Sequence, residues 1–431
     1  MFDINSNASG LYVTEAPQGA GGAFYNNIPA AGRPFIVAED NNPNVFHDKN
    51  FIAADIFAAS PNRDNVYVTW TVFRFDPKCG VGSNPDGIAR YCSSPIFGAM
   101  STDHALTWST PEEISGSSNT LCFFGNALDP TRPASACDFD QGSDPIVRPD
   151  GSLVVTFNNG NTAADNPNGQ QLAVRCSPSG KSESGTAKLH CAAPSKVGDD
   201  VTVGEPQCNF GRGPEECIPG AFIRTNDFPR IAVDRGNGDL FVTWQDYHTG
   251  EFDIQLSQST DGGLTWTEAK APANPDRAKD HYQPAIDVVP STGENGDNAR
   301  GNTNGDHVAI SYYRTDRVPN ENTTPTSGFA PGQDGVQKGS SNYYLAGGRG
   351  LVTPYADARV SPNFPPPDGI QIGFNGDYSG LVVVDGRAHP IWSDTRNVSP
   401  PGQNGAKAAH DEDIFTDDVR IPDGNGEHTD G

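Results

Sequence analysis

The run STDGGLTW, residues 259–266, recurs in the chain as STDHALTW, residues 101–108, with Ala105 standing where Gly263 stands in the other copy. The residue types suit a tight turn that closes on itself. A short Asp side chain can accept hydrogen bonds from the backbone N–H groups of its own turn. Glycine permits a positive φ there, and the closing Trp266 or Trp108 offers a large ring to pack back on the preceding sheet. Each copy follows a strand-like run, FDIQLSQS (252–259) and PIFGAMS (95–101), so the turn reads as the end of a repeated β unit.

Working outward from these turns, one pattern repeats: an apolar strand, a turn rich in Gly, Asn or Asp, and a second strand ending in aromatic residues. The copies are FIAADIF with NVYVTWTVF (51–57, 65–73), DPIVRPDGSLVVTF (144–157), PRIAVDRGNGDLFVTW (229–244), PAIDVV with HVAISYY (284–289, 307–313) and SGLVVVDGRAHPIW (379–392). Each predicts a hairpin of two buried strands. Third strands follow at QQLAVRC (170–176), NYYLAGG (342–348) and DIFTDDV (413–419), besides the two that precede the turns. A three- or four-stranded antiparallel unit that recurs radially is a propeller blade, and blades must stack to bury both faces. The five copies, with two further strand-like pieces at GLYVTEA (10–16) and PFIVAED (34–40), predict an all-β propeller of six blades, with five as the alternative. Residues 1–47 would complete the last blade, 48–425 form a single propeller domain, and 426–431 are a tail.

Composition agrees. The 431 residues include 48 Gly and 36 Pro, a surplus that belongs in turns and loops. Lys and Arg number 29 against 54 Asp and Glu, a net charge of −25, which argues against nucleic acid and anionic lipid as partners. No apolar stretch is long enough to insert in a membrane. Eight cysteines fall in neighbouring couples, Cys79/Cys92, Cys122/Cys137, Cys176/Cys191 and Cys208/Cys217, with no C-x-x-C. Four local disulfides and an extracellular location are expected, although spacing alone does not fix the connectivity. The first ten residues lack the basic and apolar segments of a signal peptide, so the start is read as a mature one. Sequons stand at Asn7, Asn322 and Asn397.

The two turns resemble the Asp-box, or bacterial neuraminidase repeat, of the sialidase superfamily. The resemblance covers residues 48 to about 420 and is nearest to secreted bacterial proteins of the exo-α-sialidase-like group, of which Gly376-Asp377-Tyr378-Ser379-Gly380-Leu381 and Pro390-Ile391-Trp392-Ser393-Asp394-Thr395-Arg396 are typical. It implies a retaining glycosidase site: three arginines on the substrate carboxylate, a Tyr nucleophile activated by a Glu, and an Asp acid/base. A neutral Tyr avoids repulsion with that carboxylate, and arginine forks match it. By resemblance, Tyr378 in Tyr378-Ser379-x-Leu381 takes the nucleophile position and Arg314 in Tyr312-Tyr313-Arg314 a carboxylate-binding position. Arg230 in Pro229-Arg230-Ile231 resembles the Arg-Ile-Pro start of a blade, displaced to mid-chain. The first repeat has no arginine at that place, and Arg33 upstream is a weak substitute. Gln283 stands where a Glu would be expected at the fourth repeat. The competing readings are aromatic packing for Tyr378 and an ion pair with Asp316 or another acid for Arg314.

Aligned repeats put Asp48, Asp227 and Asp377 at one position, with Asp144 and Asp280 a few residues away. Converging carboxylates repel unless a cation intervenes, so calcium at Asp227 and Asp377 is one expectation, and acid/base work at Asp48 another. The competing reading is that each Asp caps its own turn or pairs within its blade. The stretch TGENGDNARGNTNGD (292–306) is calcium-friendly in composition but lacks EF-hand order. No required cofactor is implied, and no serine-triad or zinc motif is present. Two functions follow: a secreted, glycan-directed, sialidase-like glycosidase, or a non-catalytic propeller that binds a glycan or protein.

Overall fold

The computed structural model describes residues 2–3, 8–14, 34–80, 89–164, 168–203, 215–219, 221, 223–290, 306–315, 340–367, 373–398, 410 and 412–423. Among them there is no helix, and the strands form six antiparallel sheets. The fold is all-β, made of up-and-down sheets of the propeller-blade type. The chain divides into two compact units, Met1–Lys196 with Gly262–Leu264, and Val197–Asp261 with Thr265–Gly431.

In the first unit the N-terminal strands Phe2–Asp3, Ala8–Val13 and Phe35–Asp40 pair with one another in a sheet of their own. Leu11, Val37 and Ala38 pack on Val68, Trp70 and Val72 of the next sheet, which is built on Val45–Ala54, Val66–Asp76, Ile96–Ser101 and Glu112–Glu113. The β-branched and aromatic run VYVTWTV forms its central strand because alternate residues find an apolar layer on each face. A third sheet runs Asp140–Val147, Leu153–Asn159, Gly169–Ser179 and Lys188–Cys191. Disulfides Cys79–Cys92, Cys122–Cys137 and Cys176–Cys191 match the expected couples. Cys217 is also disulfide-bonded, and Cys208 lies outside the described residues.

The two Ser-x-Asp turns are superposable in their bonding. Asp103 Oδ1 accepts from Ser101 Oγ (2.8 Å) and Thr107 N (2.9 Å), and Oδ2 from Thr107 Oγ1 (2.7 Å). Asp261 accepts from Ser259 Oγ (2.8 Å), Thr265 N (2.9 Å) and Thr265 Oγ1 (2.5 Å). Both middle residues carry positive φ, 83° and 86° at Gly262 and Gly263, 62° and 65° at His104 and Ala105. The carboxylate therefore replaces the ladder bonds that the left-handed turn forfeits.

The second unit holds three sheets. The first comprises Arg230–Val233, Leu240–Asp246, Asp253–Ser259 and Thr267–Glu268. The second comprises Asp280–Val289, His307–Thr315, Ser341–Arg349 and Val352–Arg359. The third comprises Gly380–Val384, Arg387–Asp394, Asp413–Thr416 and Val419–Arg420. Phe241, Ile254, Leu256, Ile286, Ile310 and Tyr312 fill the layer between the first two. Val289, Ala309, Leu345, Val383 and Ala388 fill the layer between the last two. Nearer the strand starts, Tyr282 stacks on Tyr313 at 5.0 Å, Tyr343 meets Tyr313 edge-on at 4.8 Å, and Tyr343 stacks on Trp392 at 4.9 Å.

Of the calcium-friendly stretch only Asp306 is described. It lies beside Asp234 and Asp239, with Asn237 Nδ2 donating to its Oδ1 at 3.0 Å and Gln258 Nε2 to its Oδ2 at 3.2 Å. Burial, then the hydrogen bond with Asp234, pushes Asp306 from the usual 3.8 to about 7. A raised acid stabilises the fold fully below the unfolded value, and that contribution is lost as pH rises through the folded value. Asp306→Asn is therefore expected to leave the melting temperature at pH 4 nearly unchanged and to raise it at pH 8. A scan across that interval checks the sign.

Candidate functional site

The three sheets of the second unit bring the segments at the starts of their first strands together. Asp227 and Phe228 precede Arg230, Gln283 interrupts Asp280–Val289, and Asp377 and Tyr378 precede Gly380. Gln283 has φ 48° at the register break between Tyr282 and Ala285, and Lys49 has φ 56° at the matching break between Asp48 and Phe51 in the first unit. A non-glycine residue held there costs about 1–3 kcal/mol, and such strain concentrates where a side chain has to be aimed. At Gln283 the amide Nε2 donates to Gly376 O at 2.7 Å, while buried Oε1 has no hydrogen-bond partner among the described residues.

The chemistry centres on Asp227, which is 5% exposed. Gln245 Oε1 accepts from Thr225 Oγ1 and from Gln283 N, both at 2.8 Å, so its Nε2 is left to donate to Asp227 Oδ1 at 2.7 Å. The carboxyl of Glu216 is hydrogen-bonded to that of Asp227, and Thr202 Oγ1 donates to Glu216 Oε1 at 2.6 Å. Burial, then the negative charges of Glu216 and Asp200, holds Asp227 well above the usual carboxylate range. Two carboxyls so close and away from water resist ionising together, which favours the protonated form of Asp227.

The neighbours of Asp227 tie it to the Tyr378 segment. Asn226 Nδ2 donates to Asp377 Oδ1 at 3.0 Å, and the rings of Phe228 and Tyr378 lie 6.4 Å apart. Arg224 Nη2 is 3.3 Å from Asp377 Oδ1, with its guanidinium 4.3 Å from the Phe374 ring centroid. Arg230 Nη1 donates to Ser379 O at 3.2 Å, and Ser379 Oγ donates to Gln283 O at 2.8 Å. So Arg230, Asp227, Asp377 and Tyr378 come together, joined by Glu216, Arg224 and Gln245, which the sequence did not single out.

Arg314 lies elsewhere. Its Nη1 is 2.9 Å from Asp276 Oδ2 and its guanidinium covers the Tyr344 ring at 3.9 Å, while His281 Nε2 takes Asp276 Oδ1 at 2.7 Å. The ion pair with Asp316 or another acid, the competing reading for Arg314, is made with Asp276; Asp316 lies outside the described residues, as does Arg33. Asp48 belongs to the first unit, where its Oδ1 accepts from Lys49 N at 2.8 Å; Asp144 is in that unit too. Asp280 accepts from Phe252 N at 3.0 Å, a bond to the segment before Asp253–Ser259 of the neighbouring sheet and not to its own turn. Calcium at Asp227 and Asp377 gains no support: Asp227 Oδ1 accepts from Gln245 Nε2, and Asp377 Oδ1 is taken by Arg224 and Asn226. No group of three or more metal-ligating side chains occurs among the described residues. Asn397 is exposed and donates to Asp413 Oδ2 at 2.8 Å, whereas Asn7 and Asn322 lie outside the described residues.

No family model and no curated protein matches the chain. Solved structures that it resembles are glycosidases. The Hadza microbial sialidase Hz136 is 11% identical with a TM-score of 0.39, over 82% of this chain and 51% of that one. The Trypanosoma rangeli sialidase in complex with 2,3-difluorosialic acid is 12% identical with a TM-score of 0.41, over 98% and 53%. The alpha-L-arabinofuranosidase of Fusarium graminearum in complex with an iminosugar inhibitor is 9% identical with a TM-score of 0.38, over 94% and 97%. The chain spans about half the length of the two sialidases it matches, and likeness at this level assigns no residue a role.

Proposed function

We propose that this protein is an exported, glycan-directed β-propeller of the sialidase type, its sheets ringed as six blades, and that its site carries out retaining glycoside hydrolysis. The buried carboxyl pair of Asp227 and Glu216 beside the Tyr378 segment, with Asp227 held well above the usual carboxylate range, carries this reading. A glycosidase needs a carboxylic acid that is still protonated at working pH to protonate the leaving oxygen. It also benefits from an anionic surround for an oxocarbenium-like transition state. The upward shift of Asp227 suits it to the first requirement, and Asp200 and Glu216 supply the second. Tyr378 is the nucleophile and Asp227 with Glu216 the acid/base pair.

Substrate charge follows from the cations. A sialoside carboxylate asks for several free arginine forks. Arg314 is engaged by Asp276, Arg224 by Asp377, and Arg230 has one N–H on Ser379 O, so a neutral glycoside suits the site better than an anionic one. The test is release of methylumbelliferone from a panel of α- and β-glycosides, neutral and sialylated, at pH 5–7. Turnover of a neutral member that is lost in Tyr378→Phe supports the reading; no turnover of any member, or an unchanged rate in the variant, contradicts it. The engaged state of those arginines also favours a second reading, a non-catalytic module that binds neutral glycans, for which the same panel would bind without being cleaved.

A further inference from the structure

The first unit carries a feature that the site above does not use. A cavity of about 850 Å³ lies along the N-terminal sheet and the sheet packed on it, far in sequence from Asp227 and Tyr378. One wall is apolar, made by Ile36, Val37, Val45, Val72 and Phe97. Ile36 is 53% exposed, an unusual position for an isoleucine unless something covers it.

The polar groups around the cavity divide sharply. Each of its carboxylates has one oxygen engaged: Asp40 Oδ1 by Asn42 N (2.7 Å), Asp76 Oδ1 by Lys78 N (2.8 Å), Asp129 Oδ1 by Thr131 N and Oγ1 (3.0 and 2.6 Å), and Glu39 Oε1 by the Tyr12 hydroxyl (2.7 Å). The donors are less engaged: Arg74 lies over the Phe97 ring, 5.5 Å from its centroid, and its charge helps to lower Asp129 after the Thr131 hydrogen bonds and Arg132, but neither its guanidinium nor the Lys78 ammonium has a hydrogen bond or an ion pair within 4 Å among the described residues. His47, 8% exposed, accepts from Trp70 Nε1 at its Nδ1 (2.9 Å). Burial holds the ring neutral, so its one proton sits on Nε2, as a further donor at the cavity.

We infer that this cavity binds an amphipathic monocarboxylate, an alkanoic or aryl-alkanoic acid, with Arg74 taking the carboxylate, His47 and Lys78 assisting, and the apolar body lying on Ile36, Val37 and Val72. Three observations select that class. A guanidinium with no hydrogen bond to a described residue, beside an apolar wall, asks for an anion. Four carboxylates against two cations around the rim disfavour a multiply charged anion such as a phosphate ester. A wall of branched aliphatic side chains, with the Phe97 face already covered by Arg74, suits a hydrocarbon body better than a sugar ring.

Isothermal titration of the full chain with decanoate, decanol and glucuronate tests this. Decanoate should bind, decanol more weakly and glucuronate least. Arg74→Gln should weaken decanoate at least about tenfold and leave decanol unchanged, as one charged anchor is removed. Ile36→Asn should weaken both. Both side chains are exposed, so melting temperatures should not move. Absence of heat with decanoate, equal binding by Arg74→Gln, or glucuronate binding tighter than decanoate would overturn the inference.

Discussion

Asp227→Asn is expected to lower kcat/KM on an unactivated glycoside by about 10²–10⁴-fold, the usual contribution of a general acid. The amide keeps the size and can still meet Gln245, but it cannot deliver the proton that Asp227 holds against Glu216. The loss should depend on the leaving group. A dinitrophenyl glycoside departs without protonation, so the same variant should turn it over at close to the parental rate in the glycosylation step. A uniform loss across both substrates would mean that Asp227 supports the fold of the site rather than the chemistry. Measuring both leaving groups side by side separates the two.

Tyr313→Ala should destabilise the chain by about 4 kcal/mol, the range for deleting a fully buried aromatic ring. Tyr313 is 0% exposed and touches Tyr282, Tyr343 and Phe364. Its hydroxyl donates to Ser393 O at 2.8 Å and accepts from Ser393 N at 3.0 Å, so it pins the second strand of one sheet to the second strand of the next. Tyr313→Phe keeps the ring and leaves both Ser393 groups without that partner, which should cost about 1–3 kcal/mol. Urea titrations of the two variants give the ring and the hydroxyl separately. Similar midpoints for Tyr313→Ala and the parent would mean that the stack does not hold these sheets together.

Most of the fold was legible because it rests on local signals. STDGGLTW and STDHALTW specify their turns through one carboxylate each, and both form as read. The hairpins at 144–157 and 379–392 are found as Asp140–Val147 with Leu153–Asn159 and Gly380–Val384 with Arg387–Asp394. Strand starts were less legible. Asp280–Val289 begins before the apolar run PAIDVV, because a bulge at Gln283 lets Asp280, His281 and Tyr282 join the ladder, and glutamine at positive φ leaves no sequence signal.

The site was legible only in part, for the same reason. Asp227 and Asp377 share a position in the repeat, so aligning copies finds them, and Tyr378 was found by the resemblance of Tyr378-Ser379-x-Leu381. Glu216 sits outside the repeat, between Cys208 and Asp227, and only the fold brings it to Asp227. Arg314 was placed by its strand, but its partner Asp276 comes from the loop after Thr267–Glu268, where spacing says nothing about reach.

The central claim is that Asp227 and Glu216 share one proton at neutral pH. Carboxyl ¹³C titration of selectively labelled protein, with Asp227→Asn to assign the signal, measures it directly. The account predicts an Asp227 carboxyl that titrates far above the usual 3.8 and still carries its proton near pH 7. An Asp227 signal that ionises within the ordinary carboxylate range, independently of Glu216, would contradict it.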